Sequence, residues 1–116
     1  MATPTTTELG AFAEGEVPPA LEITFTDFEG VAVNLTGFSN LQCNIQEELA
    51  GTAGLGTGSI VVSDAPNGKV TYTWVRADMI TAGEYTLQAW VDNGINYYAS
   101  DLYTYSVYDG PGDAPT

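Results

Sequence analysis

The chain has 116 residues, 44% of them apolar, enough for one domain with its own core and too few for two. Fifteen carboxylates face two cations, Lys69 and Arg76, for a formal net charge of −13, which argues against nucleic acid or an anionic membrane as partner, since both need clustered Lys and Arg. Histidine, the commonest general base and transition-metal ligand, is absent, and a single cysteine, Cys43, cannot form an intrachain disulfide.

The stretch Met1-Ala2-Thr3-Pro4-Thr5-Thr6-Thr7-Glu8 carries neither a basic n-region nor an apolar h-region. No 18 apolar residues run together, so the expectation is a soluble protein made in a reducing cytoplasm. Residues 1–20 hold Thr5-Thr6-Thr7, Gly10, Gly15 and Pro18-Pro19, with Leu9, Phe12 and Val17 as the larger apolar side chains and no period of 2 or 3.6. They read as an extended N-terminal arm whose Leu9, Phe12 and Val17 contact a partner.

Residues 21–109 read as the folded domain. Leu21, Ile23 and Phe25 alternate with Glu22, Thr24 and Thr26, the pattern of a half-buried strand. Asp27-Phe28-Glu29-Gly30 turns the chain, and Val31 and Val33 continue it briefly. Leu41, Cys43 and Ile45 alternate with polar residues in a second strand, with Cys43 inward as a buried structural thiol. Ser59 to Val62 makes a third, closed by the turn residues Pro66, Asn67 and Gly68, and Val70, Tyr72 and Trp74 a fourth. Arg76 to Ala82 has room for one helical turn. Tyr85, Leu87, Ala89 and Val91 mark a fifth strand, Asp92-Asn93-Gly94 a hairpin, residues 95–99 a sixth strand and the tyrosine-rich Leu102 to Tyr108 the last. About seven short strands with regular turn chemistry predict an all-β sandwich; residues 110–116 read as a flexible C-terminal tail.

Few residues offer chemistry. Glu47 and Glu48 are adjacent, so on a strand they point to opposite faces and cannot share a proton. The glycine-rich run 51–58 lacks the Lys-Ser/Thr of a phosphate loop and precedes a strand, so it reads as a mobile connection. Asp64 and Asp92-Asn93-Gly94 offer oxygen ligands at turns, but the spacing matches no calcium loop and hairpin chemistry explains them. Asn34-Leu35-Thr36 matches the glycosylation pattern, a weak signal. Tyr72, Trp74, Trp90, Tyr97, Tyr98, Tyr103 and Tyr105 could stack on sugars, though most are expected in the core and at its edges.

Ala82-Gly83-Glu84-Tyr85, two residues before the inward Leu87, resembles the corner segment of immunoglobulin-like domains, where a tyrosine bonds back to the preceding backbone. Leu87 stands where such domains place their second cysteine and Cys43 where the first would lie, so the resemblance is to a disulfide-free relative. The order of segments is similar to that of the immunoglobulin-like domains of tailed-bacteriophage virion proteins, including the N-terminal domain of baseplate upper proteins. It runs Leu21 to Gly37, Asn67-Gly68-Lys69-Val70-Thr71-Tyr72, Thr81 to Tyr85, then Asp92-Asn93-Gly94 before the final strand, over roughly residues 20–108.

That resemblance implies a structural or adhesive role without catalysis, so no catalytic, cofactor-binding or metal-ligating residue is carried over. The expectation is a capsid decoration protein on the outer surface of a phage head. It would be made in the host cytoplasm, bind the major capsid protein or another virion protein, and form a homo-oligomer on the particle. The alternatives are a phage tail or baseplate component, or an immunoglobulin-like module that binds carbohydrate or a cell surface.

Overall fold

The computed structural model describes residues 5–47, 53–56, 58–79 and 81–109. The tail at 110–116 and Glu48, both singled out above, lie outside them. Nine strands form among the described residues: β1 (Thr6–Ala13), β2 (Leu21–Thr24), β3 (Asn40–Glu47), β4 (Ala53–Leu55), β5 (Ser59–Asp64), β6 (Lys69–Thr73), β7 (Gly83–Asp92), β8 (Tyr97–Ala99) and β9 (Leu102–Tyr108). Six of them make one sheet in the order β1-β9-β7-β3-β4, with β8 paired to β7 outside that path; the second sheet is β2-β6-β5. The expected all-β sandwich is the architecture found.

The period-2 pattern decides which side of each strand is dry. On β3 and β7 the register pairs Leu41 with Val91, Cys43 with Ala89 and Ile45 with Leu87, one apolar file across two strands. In the smaller sheet Ile23 lies opposite Val70 and Leu21 opposite Tyr72. Ile23, Phe25, Cys43, Val70, Tyr72, Leu87, Ala89 and Val91 are buried, with Leu21, Leu41 and Ile45 packed against them, so the expected core residues occupy the core. Each fully buried aliphatic side chain contributes about 1.5–3 kcal/mol. Leu35, Trp74, Met79, Tyr105 and Val107 complete it. Met79 ends a 3₁₀ turn (Arg76–Met79), the one helical turn expected there.

The N-terminal segment is not a free arm. β1 pairs in parallel with β9, from Thr6 opposite Leu102 to Ala13 opposite Tyr108, and forms an edge of the larger sheet. The register shifts between Glu8 and Gly10, a β-bulge at which Gly10 takes φ +121°. Leu9 and Phe12 are three residues apart, which fits neither strand nor helix; the bulge resets the phase so that both pack against the core. Val17 lies beyond the strand and is exposed. Leu9 and Phe12 are therefore partly buried against the core of their own domain.

Of the glycine-rich connection, the described residues 53–56 and 58 are held against neighbouring strands. Ala53–Leu55 pairs with Gln46 to Asn44 as an edge strand, and the Gly56 N–H donates to the Cys43 carbonyl at 2.8 Å. A Cβ at Gly58 would collide with the Thr73 carbonyl oxygen and lie 2.9 Å from the Tyr72 hydroxyl. Glycine there is a close-approach requirement. Val31 and Val33 form no full strand: Thr26 and Ala32 make an isolated bridge, closed by Val33 N–H to the Phe25 carbonyl at 3.0 Å.

Candidate functional site

The aromatic residues separate by strand phase. Tyr72, Trp74 and Tyr105 are buried, and Tyr98 and Tyr103 pack against the core, whereas Trp90 is 39% and Tyr97 65% exposed. Inside, Trp74 meets Tyr72 edge-on at 5.0 Å and Tyr105 edge-on at 5.2 Å, while Tyr85 stacks on Tyr105 at 5.1 Å with an interplanar angle of 12°. Tyr85 donates its hydroxyl to the Thr81 carbonyl at 2.6 Å, tying the start of β7 to the preceding turn. Burial, with Glu47 and Glu14 nearby, pushes the Tyr85 hydroxyl above its ordinary pKa. Tyr85 thus belongs to the architecture, not to a ligand surface.

One part-buried polar knot lies beside Gly58. The Tyr72 hydroxyl donates to Asp78 Oδ2 at 2.7 Å and accepts from the Gly58 N–H at 2.9 Å; the Val75 N–H donates to the same carboxylate oxygen at 3.2 Å. Burial, with the Asp78 charge adding to it, pushes the Cys43 thiol up to about 12. At neutral pH that sulfur is protonated and shielded, a structural thiol without nucleophilic character.

Two outward features remain. The first is the open face of the larger sheet. Asn40, Gln42 and Asn44 stand on the outward phase of β3, opposite Asp92, Trp90 and Gln88 of β7, and Tyr97 of β8 stands opposite Asp92. Asn40, Gln42, Asn44, Trp90, Asp92 and Tyr97 line a groove of about 270 Å³. Asn40 Nδ2 donates to Asp92 Oδ2 at 3.1 Å and Gln42 Nε2 to Asn44 Oδ1 at 2.7 Å.

The second is the end of the sandwich where the β2–β3 and β7–β8 connections meet. Residues from both line a cleft there, among them Asp27, Asn34, Asn93 and Asn96. Each connection shows an apolar side chain to solvent on a pinned turn. Asp27 Oδ1 accepts from the Glu29 and Val31 N–H groups at 2.8 and 3.0 Å, which fixes the turn carrying Phe28 (71% exposed) and Val31. Asn93 Oδ1 accepts from the Ile95 and Asn96 N–H groups at 2.9 and 2.7 Å, and Asp92 Oδ1 from Gly94 at 2.6 Å, beneath Ile95, 83% exposed. The Asp92 and Asn93 oxygens considered above as ligand donors therefore close a turn.

At the opposite end of β7 the carboxylates crowd each other. A side-chain hydrogen bond to Asp109, with burial and the Asp109 charge, raises the pKa of Glu14. Glu47 Oε1 would lie 3.0 Å from a Cβ at Gly83, next to Glu84. Apolar side chains on pinned turns, flanked by Asp27, Glu29 and Asp92, stand at one end of the strands, and the carboxylates Glu14, Glu47, Glu84 and Asp109 gather at the other.

Comparison with known families gives no assignment for this arrangement: no family model matches the chain, and no curated protein matches it.

Proposed function

We propose that the chain is a non-catalytic structural protein of a bacteriophage virion, a decoration domain that docks on the outer surface of the head shell. The virion setting rests on the segment order of residues 20–108 described above. The strand order β1-β9-β7-β3-β4 over β2-β6-β5, and the Tyr85 to Thr81 corner bond, support the immunoglobulin-like part of that reading.

The observation that carries the docking role is the loop end. Phe28, Val31 and Ile95 are exposed on turns held by side-chain to backbone bonds, so little conformational freedom remains to be lost on binding. Exposed, rigid apolar anchors are what a partner's pocket buries at the centre of an interface. The partner is the major capsid protein, met by this end, with the carboxylate-rich end facing solvent. Many copies at −13 each repel one another over long range, so the shell sets their spacing on the particle.

Co-sedimentation with heads stripped of the protein tests this. Phe28→Asp and Ile95→Asp should each abolish attachment without altering the thermal midpoint. Attachment through apolar anchors should persist or strengthen in 1 M salt, where the screening length falls to about 3 Å. Attachment that collapses in salt and ignores both substitutions would move the docking surface to the carboxylate-rich end, and no attachment to heads at all would remove the decoration role.

A further inference from the structure

We propose that the groove across β3, β7 and β8 is a binding site for a neutral oligosaccharide, independent of where the domain is mounted. Three features of the face lead there, and none is needed by the fold.

The first is the placement of two aromatic rings on the wet side of the sheet. Trp90 takes the outward phase of a strand whose neighbours Ala89 and Val91 are fully buried, and Tyr97 sits diagonally from it across the β7–β8 ladder. Diagonal positions lie about 7–8 Å apart and the strands about 4.8 Å, so the two rings present their surfaces over the span of one to two sugar rings. Leaving a tryptophan 39% and a tyrosine 65% exposed forgoes burial that the core side would reward.

The second is the chemistry around them. Asn40, Gln42 and Asn44 occupy three successive outward positions of β3 beside Trp90 and Asp92. Each amide carries both a donor and an acceptor, which matches the dual character of a sugar hydroxyl. The bonds Asn40 to Asp92 and Gln42 to Asn44 hold these groups in place while using one end of each amide. They leave Oδ1 of Asn40, Oε1 of Gln42 and Nδ2 of Asn44. The pattern is a pre-set polar row beside two stacking surfaces.

The third is charge. Lys69 stands on β6 in the other sheet, bonded to Glu22 at 2.8 Å, and Arg76 lies in the turn after β6, so neither cation is on this face. With Asp92 in the groove and −13 overall, an anionic sugar or a phosphorylated polymer meets repulsion with no compensating cation. A volume of about 270 Å³ sits at the lower limit of ligand clefts, suited to one or two rings of a longer chain.

Fluorescence titration gives a direct test, because Trp74 is buried and Trp90 is the tryptophan a ligand can touch. Maltohexaose, cellohexaose and mannohexaose would each be added to the whole protein up to about 10 mM, ten times the Kd that corresponds to roughly −4 kcal/mol. At least one should shift Trp90 emission with a saturating curve. Gln42→Ala and Tyr97→Ala should each weaken that titration about three- to tenfold, the usual worth of one stacking or polar contact. Trp90→Ala removes the reporter, so its binding is read by isothermal titration calorimetry, where it should be lost while the thermal midpoint stays within about 2 °C, since the side chain is outside the core. No shift with any of the three sugars overturns the proposal. So does a heparin hexasaccharide binding as tightly as the best neutral one, or Trp90 quenching that tracks protein concentration alone, which would give the face to a second copy of the chain.

Discussion

Tyr72 and Tyr105 are both buried tyrosines in one aromatic cluster, and removing the hydroxyl from each should have opposite consequences. Tyr72 donates to the Asp78 carboxylate at 2.7 Å and accepts from the Gly58 N–H at 2.9 Å. A hydrogen bond to a charged group contributes about 1.5–3 kcal/mol, and the Gly58 N–H would lose its acceptor as well. Tyr72→Phe is therefore expected to cost about 2–3 kcal/mol, or about 8–12 °C in thermal midpoint at roughly 4 °C per kcal/mol for a domain of this size. The Tyr105 hydroxyl, by contrast, is buried with no hydrogen-bond partner among the described residues. An unpaired buried hydroxyl costs about 1–3 kcal/mol, part of which returns when it is deleted. Tyr105→Phe should leave stability unchanged or raise it by up to about 1 kcal/mol, the ring contacts with Trp74 and Tyr85 being retained. Urea unfolding of both variants and of the double variant measures the difference. Equal losses for the two would refute the reasoning, because they would mean that the Tyr105 hydroxyl has a partner, such as a buried water, worth as much as the Asp78 bond.

Deleting residues 1–13 removes β1 and uncovers the edge of β9 together with the Leu9 and Phe12 contacts, so it should destabilise the domain by several kcal/mol; a thermal midpoint unchanged by the deletion would return the segment to a free arm. Gly58→Ala should cost more than 1 kcal/mol, since its Cβ meets the Thr73 carbonyl and the neighbouring strand cannot give way; a cost below 0.5 kcal/mol in the urea midpoint would show that the connection relaxes freely. Burial raises the pKa of Tyr72, Tyr103, Tyr105 and Cys43, so the unfolded chain releases these protons first as pH rises. Their contribution is complete below the ordinary thiol value of 9.0 and is lost above it, towards about 12 for Cys43. Urea midpoints should fall from pH 9 upward, and Cys43 should resist a thiol reagent at pH 8 until the protein unfolds; a midpoint flat to pH 11, or rapid labelling of the folded protein, would contradict the burial of these groups.

Where the side-chain period was clean, the sequence predicted the face of every residue: Leu41, Cys43 and Ile45 on β3 and Leu87, Ala89 and Val91 on β7 all point inward. It failed where the period is interrupted or backbone bonds do the work. The bulge between Glu8 and Gly10 puts Leu9 and Phe12 three apart, an interval that no regular strand produces, and so conceals β1. β4 pairs with β3 through a short segment in a glycine-rich run, where alternation carries no information. The outward groove was half legible. Trp90 falls on the wet phase of β7 by counting alone, but its meeting with Asn40, Gln42 and Tyr97 needs the register of three strands, which a single sequence does not state.

The same register explains why two tryptophans of one chain have separate fates. Trp74 follows β6 directly, continues the inward phase of Val70 and Tyr72, and closes over Tyr105 at 5.2 Å. Trp90 is one residue out of phase with Ala89 and Val91, so the strand that buries them leaves its indole on the outer face, 39% exposed. A one-residue slip of β7 against β3 would turn Trp90 inward and place Leu87 outside, and the pairs Leu41–Val91, Cys43–Ala89 and Ile45–Leu87 oppose that slip as one file of apolar contact. The core therefore holds the position of the outward face, with Val91, among the described residues, the one that belongs to the core and also lines the groove. Stability and recognition are separable in this fold, which is why substitutions at Gln42, Trp90 and Tyr97 can report on a ligand while those at Tyr72 and Gly58 report on folding. A substitution at Trp90 that lowered the thermal midpoint as much as Tyr72→Phe would show that the two faces are coupled, and binding data from the outward residues would then need correction for unfolding.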